Sequence, residues 1–144
     1  MEFLNSFNIS GSGLTAQKTR MDVISQNIAN AQATRTESGG AYKRKMVVLK
    51  SMEGTDFQSM LDQASSPQPK GVKVEEVIDD PAPLVPVYDP NHPDANEEGY
   101  VMMPNVNTTQ EMIDMMSASR AYEANVTAFN AVKSMALKAL EIGR

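Results

Sequence analysis

Two stretches of this 144-residue chain carry the residue types of chemistry. Gly11-Ser12-Gly13-Leu14-Thr15-Ala16 has the glycine spacing of a dinucleotide-binding turn, where glycines let the backbone turn tightly and approach a pyrophosphate. His92 stands among Asp89, Asp94, Glu97 and Glu98, an imidazole with carboxylates that together form a donor set for a divalent cation. Both fail on context. No apolar strand precedes Gly11 and no strand-helix-strand unit follows, so the turn has no parallel sheet to sit on. Asp89-Pro90 and His92-Pro93 punctuate turns, and acids beside such turns are ordinarily solvated. His92 is the only histidine and cannot serve a triad and a metal site together, and with no cysteine a thiolate nucleophile and a thiolate metal site are unavailable. The expectation is a protein that is not an enzyme, with no catalytic residues, no cofactor and no metal.

The elements around these near misses are dominated by helix. From Asn107 to Ile142 no proline or glycine interrupts a pattern that begins with Thr108 as N-cap and Glu111 three residues on, a capping box. Early acids (Glu111, Asp114) and late lysines (Lys133, Lys138) complement the helix dipole. About 34 residues make a rod roughly 50 Å long. Met112, Met115, Tyr122, Val126, Phe129 and Leu140 lie on one seam of three-four spacing, which Ser119, Lys133 and Ala136 complete. A second seam runs one position earlier through Ala118, Ala121, Ala128, Val132, Met135, Ala139 and Ile142, interrupted by Asn125. A third row, Ala121, Ala124, Ala128 and Ala131, is small enough for a close backbone approach. So wide an apolar perimeter calls for several neighbours.

Phe3 to Ala31 repeats the pattern with Phe3, Phe7, Leu14, Met21, Ile24, Ile28 and Ala31 on one seam and Ser10 and Gln17 as polar members. Gly11 and Gly13 each cost about 1 kcal/mol against alanine inside a helix. Asn27 and Asn30 have two readings, as amides fixing register across a helix interface or as exposed and capping residues.

Between the helices, residues 32–40 form a loop ending in Gly-Gly. Tyr42 to Lys50 is expected to be a strand bearing the basic cluster Lys43, Arg44, Lys45 and Lys50, which is either a solvated face or a dock for an acidic surface. A short helix is expected over Thr55 to Gln63. Val72, Val74, Val77 and Ile78 mark a second strand whose alternation slips after Val74, the signature of a bulge. Prolines 81, 83, 86, 90, 93 and 104 forbid helix and central strand from Asp80 to Asn105, leaving Leu84 to Tyr88 as an edge strand. The expected fold is mainly α: long N- and C-terminal helices pairing as a coiled coil, with a small β or extended middle segment. Its expected divisions are an N-terminal axial helix at 1–34, the strand-rich and Pro-rich middle at 35–104, and a C-terminal helix at 105–144 that pairs with the first.

Composition narrows the class. Eleven methionines and no tryptophan make the apolar surface adaptable, suited either to core filling or to interfaces. A net charge of -5, with eight acids and two lysines between Lys70 and Tyr100, argues against a nucleic-acid binder. No apolar run is long enough to span a membrane. The start Met-Glu-Phe lacks the basic and apolar regions of a cleaved signal peptide.

Ser12-Gly13-Leu14-Thr15-Ala16-Gln17, then Arg20-Met21-Asp22-Val23-Ile24 and Asn27-Ile28-Ala29-Asn30-Ala31, resembles the N-terminal signature of bacterial flagellar rod and hook proteins. Asn105-Val106-Asn107, Glu111-Met112 and Arg120-Ala121-Tyr122-Glu123-Ala124-Asn125 resembles their C-terminal signature. Tyr88-Asp89-Pro90-Asn91-His92-Pro93-Asp94-Ala95 and Gly99-Tyr100-Val101 are similar to the return segment of a proximal rod subunit, and the short middle leaves no room for large outer domains. The resemblance implies a structural axial subunit of the basal-body rod in the periplasm. It would be exported without a cleaved signal peptide through the type III apparatus and would self-assemble helically, transmitting torque and enclosing the export channel. The implied partners are other rod proteins and further copies of itself, with membrane-ring or export-apparatus proteins beside them, and neither nucleic acid nor a membrane span. The subunit-packing residues expected are Leu14, Met21, Ile24, Ile28, Met112, Met115, Tyr122, Val126 and Phe129. The alternative is a helical export chaperone or adaptor of a secretion system, which would fold alone as a compact dimer.

Overall fold

The computed structural model describes residues 2–37, 39–52 and 71–142. Helix α1 (Glu2–Ala29) leads to strands β1 (Lys45–Ser51), β2 (Val72–Asp79), β3 (Val85–Tyr88) and β4 (Tyr100–Met103), and helix α2 (Thr108–Ile142) follows. The architecture is mainly helical, with two small antiparallel sheets, β1-β2 and β3-β4. The helix expected over Thr55 to Gln63 lies outside the described residues.

Helix α1 runs through Gly11 and Gly13 without a break. It ends two residues before the expected Ala31, because the Asn30 side chain donates to Gln26 O at 2.9 Å and Ala31 N tightens onto Ile28 O at 3.3 Å. Strand β1 begins three residues later than expected. Tyr42 N donates to Ala33 O and Arg44 N to Asn105 Oδ1, so neither amide enters the ladder. The bulge falls where the alternation slips: Val48 pairs with Glu76 and Leu49 with Val74, leaving Glu75 as the extra residue. The expected edge strand appears as β3. Its partner β4 was not anticipated, because a four-residue strand flanked by Gly99 and Pro104 is too short to show a period.

The α2 start differs from the capping box. Asn107 is the N-cap, its Oδ1 accepting from Thr109 N at 3.1 Å and Gln110 N at 3.3 Å. Glu111 is thereby released to turn inward, where it is completely buried.

The two helices pack antiparallel. Phe7 meets Phe129 edge to face with ring centroids 4.8 Å apart, Arg20 reaches Asp114 at 3.6 Å, and Asn27 bonds Glu111 at 3.0 Å. Gly13 faces Asn125: a methyl there would stand 3.0 Å from the amide. The inward row of α2 is Glu111, Met115, Ala118, Tyr122, Asn125, Phe129, Val132 and Ala136, all buried or half-buried. This row takes members from both expected seams and coincides with neither. Met112 and Leu140 of the first seam and Met135 of the second are left exposed. Opposition of Phe7 and Phe129 also means that the last turns of α2, from about Met135, run past the start of α1.

The β1-β2 sheet lies against α1. Val72 N donates to Ser12 Oγ at 3.1 Å, and Gly71 approaches so closely that a side chain there would collide with Ser12. Its φ of +79° suits glycine as well. The core is small, with Ala16, Val23, Ile24, Val101 and Ala118 as its buried apolar residues among those described.

Gly11→Ala should raise stability by about 1 kcal/mol, because a methyl at position 11 meets nothing within 4 Å. Gly13→Ala should give no such gain, its methyl pressing on Asn125. Urea denaturation midpoints of the two variants check the contrast.

Candidate functional site

A polar joint forms where α1, β1 and α2 converge. Asn27, buried near the end of α1, uses its whole amide: Nδ2 donates to Lys45 O at 2.9 Å and Glu111 Oε2 at 3.0 Å. Its Oδ1 accepts from Lys45 N at 2.9 Å and from the Tyr42 hydroxyl at 3.0 Å. Of its two readings, the register-fixing one holds, whereas Asn30 bonds its own helix.

Glu111 needs a cation, and Arg44 supplies it, Nε donating to Oε1 at 2.7 Å. The same guanidinium reaches Asp80 Oδ2 at 3.2 Å and Asp114 Oδ2 at 3.9 Å. Its backbone is held too, Asn105 accepting from Arg44 N at 2.8 Å and donating to Ala82 O at 3.0 Å. Removing a carboxylate from water costs several kcal/mol, and only close pairing with full hydrogen bonding offsets that.

The electrostatics follow. Partial burial opposes the Arg44 charge, but the hydrogen bond and charge of Glu111, then those of Asp80, outweigh it and hold the guanidinium above its ordinary value. The Ala82 N–H, donating to Asp80 Oδ1 at 2.9 Å, holds that carboxyl below its ordinary value; partial burial opposes this and Arg44 reinforces it. Burial raises the Tyr42 phenol, and the charges of Asp79 and Glu111 push the same way.

The chemical near misses are absorbed by structure. Gly11 to Ala16 lie within α1, with Ser12 Oγ donating to Ile9 O at 2.7 Å and accepting from Val72 N. His92 Nδ1 accepts from Asp94 N at 3.1 Å in a turn, and Thr34 and Arg35 take up the Asp94 carboxylate. Among the described residues no group of His, Cys, Asp and Glu is arranged to hold a metal.

The basic cluster splits. Arg44 turns inward, Lys50 pairs with Glu75 at 3.2 Å, and Lys43 is exposed. Of the nine packing residues, Ile24 is buried inside the chain, and Leu14, Met21, Ile28, Met115, Tyr122, Val126 and Phe129 are half-buried. Met112 is exposed beside Ile113 and Met116. Arg44 and Glu111 escaped the sequence reading because each had a sufficient local explanation, a strand face and a helix cap.

Comparison with known proteins places the chain in a family. A family sequence model described as flagella basal body rod protein matches residues 7–35, which covers most of α1. Another, described as flagellar basal body rod FlgEFG protein C-terminal, matches residues 97–142, from β4 through α2. The flagellar basal-body rod protein FlgC of Bacillus subtilis (strain 168) is 48% identical over the full length of both chains. That of Borreliella burgdorferi is 43% identical over 99% of this chain and 98% of its own. The Salmonella typhimurium (strain LT2) protein is 44% identical over both full lengths. The chain belongs to the FlgC family of flagellar basal-body rod proteins. This is a structural, non-enzyme family, and these relatives lend no support to the export-chaperone alternative. Asn27 and Glu111 of the buried joint each fall inside one of the two regions that the family models cover. No helix among the described residues is long and apolar enough to cross a membrane.

Arg44→Met should lower unfolding free energy by about 3–5 kcal/mol, because Glu111 would remain buried and unpaired. Adding Glu111→Met should recover most of that loss; denaturant midpoints of both single variants and the double variant measure the coupling. Asp80, whose carboxyl is held below its ordinary value, contributes stability that is complete above that value and is lost as pH falls through the lowered one. Asp80→Asn should therefore flatten the fall in stability below about pH 4, as read from midpoints at neutral and acid pH.

Proposed function

We propose that this chain is a structural axial subunit of the proximal part of the bacterial flagellar basal-body rod. The observation that carries the reading is the bare outer face at the start of α2, where Met112, Ile113 and Met116 are each more than half exposed. Isolated exposed hydrophobes are ordinary, but three within one and a half turns of a helix already packed on its other side form a patch that expects cover. Full-length similarity to rod proteins supports neighbouring rod subunits and further copies of the chain as that cover.

The mechanism is mechanical. Repeated copies stack by head-to-tail contacts that do not close into a ring and so extend helically. The α1-α2 pair forms the wall that passes torque and encloses the export channel, and close packing gives the wall resistance to shear. The inward α2 row keeps three-four spacing over Glu111 to Ala136, which supports coiled-coil pairing of the helices. Among the nine packing positions, Met112 offers itself directly and the seven half-buried side chains lend their outer edges. Ile24 acts through the subunit's own fold. Membrane-ring or export-apparatus proteins are the further partners this reading allows. Type III export to a periplasmic rod belongs to the same reading, which rests on the full-length similarity to basal-body rod proteins.

Met112→Asp with Met116→Asp should leave the folded monomer intact, since both side chains already face water, with a circular dichroism melt like the wild type's. The same variant should be missing from purified basal bodies and its cells should not swim. Normal incorporation would refute this role for the face.

A further inference from the structure

The β3-β4 ribbon has a face that its own chain leaves open. Residues two apart on a strand share a face, and the register Pro86↔Met102 and Tyr88↔Tyr100 puts these four side chains together. All four are exposed, Tyr88 at 65%. The two tyrosine rings meet edge to face at 5.3 Å. Beside Tyr100 and Met102 the surface dips into a mixed groove of 420 Å³, walled by Ala41, Pro93 and Ala95 and by the paired Arg35 and Asp94. The tyrosine end of the face is rimmed by acid. Asp89, Glu97 and Glu98 are exposed and make no ion pair among the described residues.

The far end of the molecule carries the complement. Lys133, Leu137 and Leu140 follow i, i+4, i+7 spacing and so share one face of α2. Leu137 is 53% and Leu140 72% exposed, in the turns that run past the start of α1. Lys133 is exposed and makes no ion pair among the described residues. Lys138 and Glu141, three apart, stand beside each other on the flank, which leaves Lys133 as the unbalanced charge among the described side chains there. The ribbon sits beyond the other end of α1, where Thr34 and Arg35 hold Asp94. The lengths match: Lys133 to Leu140 spans about 10 Å of helix, and a four-residue strand spans about 13 Å.

We propose that the Lys133-Leu137-Leu140 face of one copy docks on the Pro86-Tyr88-Tyr100-Met102 face of a second copy. The leucines cover the tyrosines and methionine, and Lys133 meets Asp89, Glu97 and Glu98. Two unlike patches at opposite ends make the contact heterologous, so it repeats without closing. The proposal rests on the rod-subunit reading and names one contact within it.

The chain has no cysteine, so Met102→Cys combined with Leu140→Cys is a clean disulfide probe in purified basal bodies. Oxidation should link copies of this chain into dimers and higher multimers, and either single variant should link none. Dimers alone, adducts to a different protein alone, or no adduct in basal bodies that contain the variant would each overturn the contact. Adding Lys133→Glu should cut the yield at least about tenfold, and Glu97→Lys with Glu98→Lys should restore it; loss without rescue also overturns it. If the cysteine variant is not incorporated, the charge swap decides by swimming, lost with Lys133→Glu and restored by the compensating pair or not. Basal bodies lacking even the wild-type chain would instead refute the rod-subunit reading.

Discussion

A carboxylate that no water can reach governs this molecule. Glu111 is shut off from solvent, and a buried charge is tolerated only with its partners in place. Those partners come from two other elements, Asn27 from α1 and Arg44 from the approach to β1, and meet the turn of α2 that carries Glu111. Satisfying one side chain therefore sets where each helix lies along the other and where the first sheet attaches. Asn105 and Asp80, bound to the same arginine, bring the return segment into the same arrangement.

This division of labour suits a subunit that must be adhesive outside and definite inside. Apolar residues pack tolerantly and would accept a shifted helix pair, as the near-continuous alanine and methionine surface of α2 makes plain. The polar joint does not accept such a shift, because each displacement by a turn would leave a donor or a carboxylate unpaired in a dry site. The apolar material is then free to face outward. The core is small and made mostly of small side chains, while large ones such as Met112, Met116, Met135 and Leu140 stay on the surface. Contacts between subunits can repeat in register along an assembly only if each copy presents them in the same geometry, and the joint provides that sameness.

Much of the layout was legible in the chain. Three-four apolar spacing announced both helices, the slip after Val74 located the bulge, and the prolines restricted residues 80–105 to extended and turn conformations. Glycine and proline cues failed only where an element was too short to have a period, as at β4. The joint was half visible. Asn27 stood out as an amide near a helix end, but Arg44 looked like one of four surface cations and Glu111 like an N-terminal cap. Nothing in either neighbourhood distinguishes a local bond from a tertiary one, because the deciding partner lies 67 residues away for one and the same pair.

Periodicity, backbone restriction and charge are local properties, so the residues alone determined the helical class, the approximate position of three of the four strands, the lack of catalytic apparatus and an apolar perimeter in excess of one chain's needs. Which stripe of that perimeter turns inward was a matter for the tertiary structure. Two overlapping seams of nearly equal apolar content are energetically close, and the choice between them fell to the row that places Glu111 against Arg44 and Asn27. That choice left Met112 and Leu140 facing water, a result of long-range pairing that no window of neighbouring residues contains.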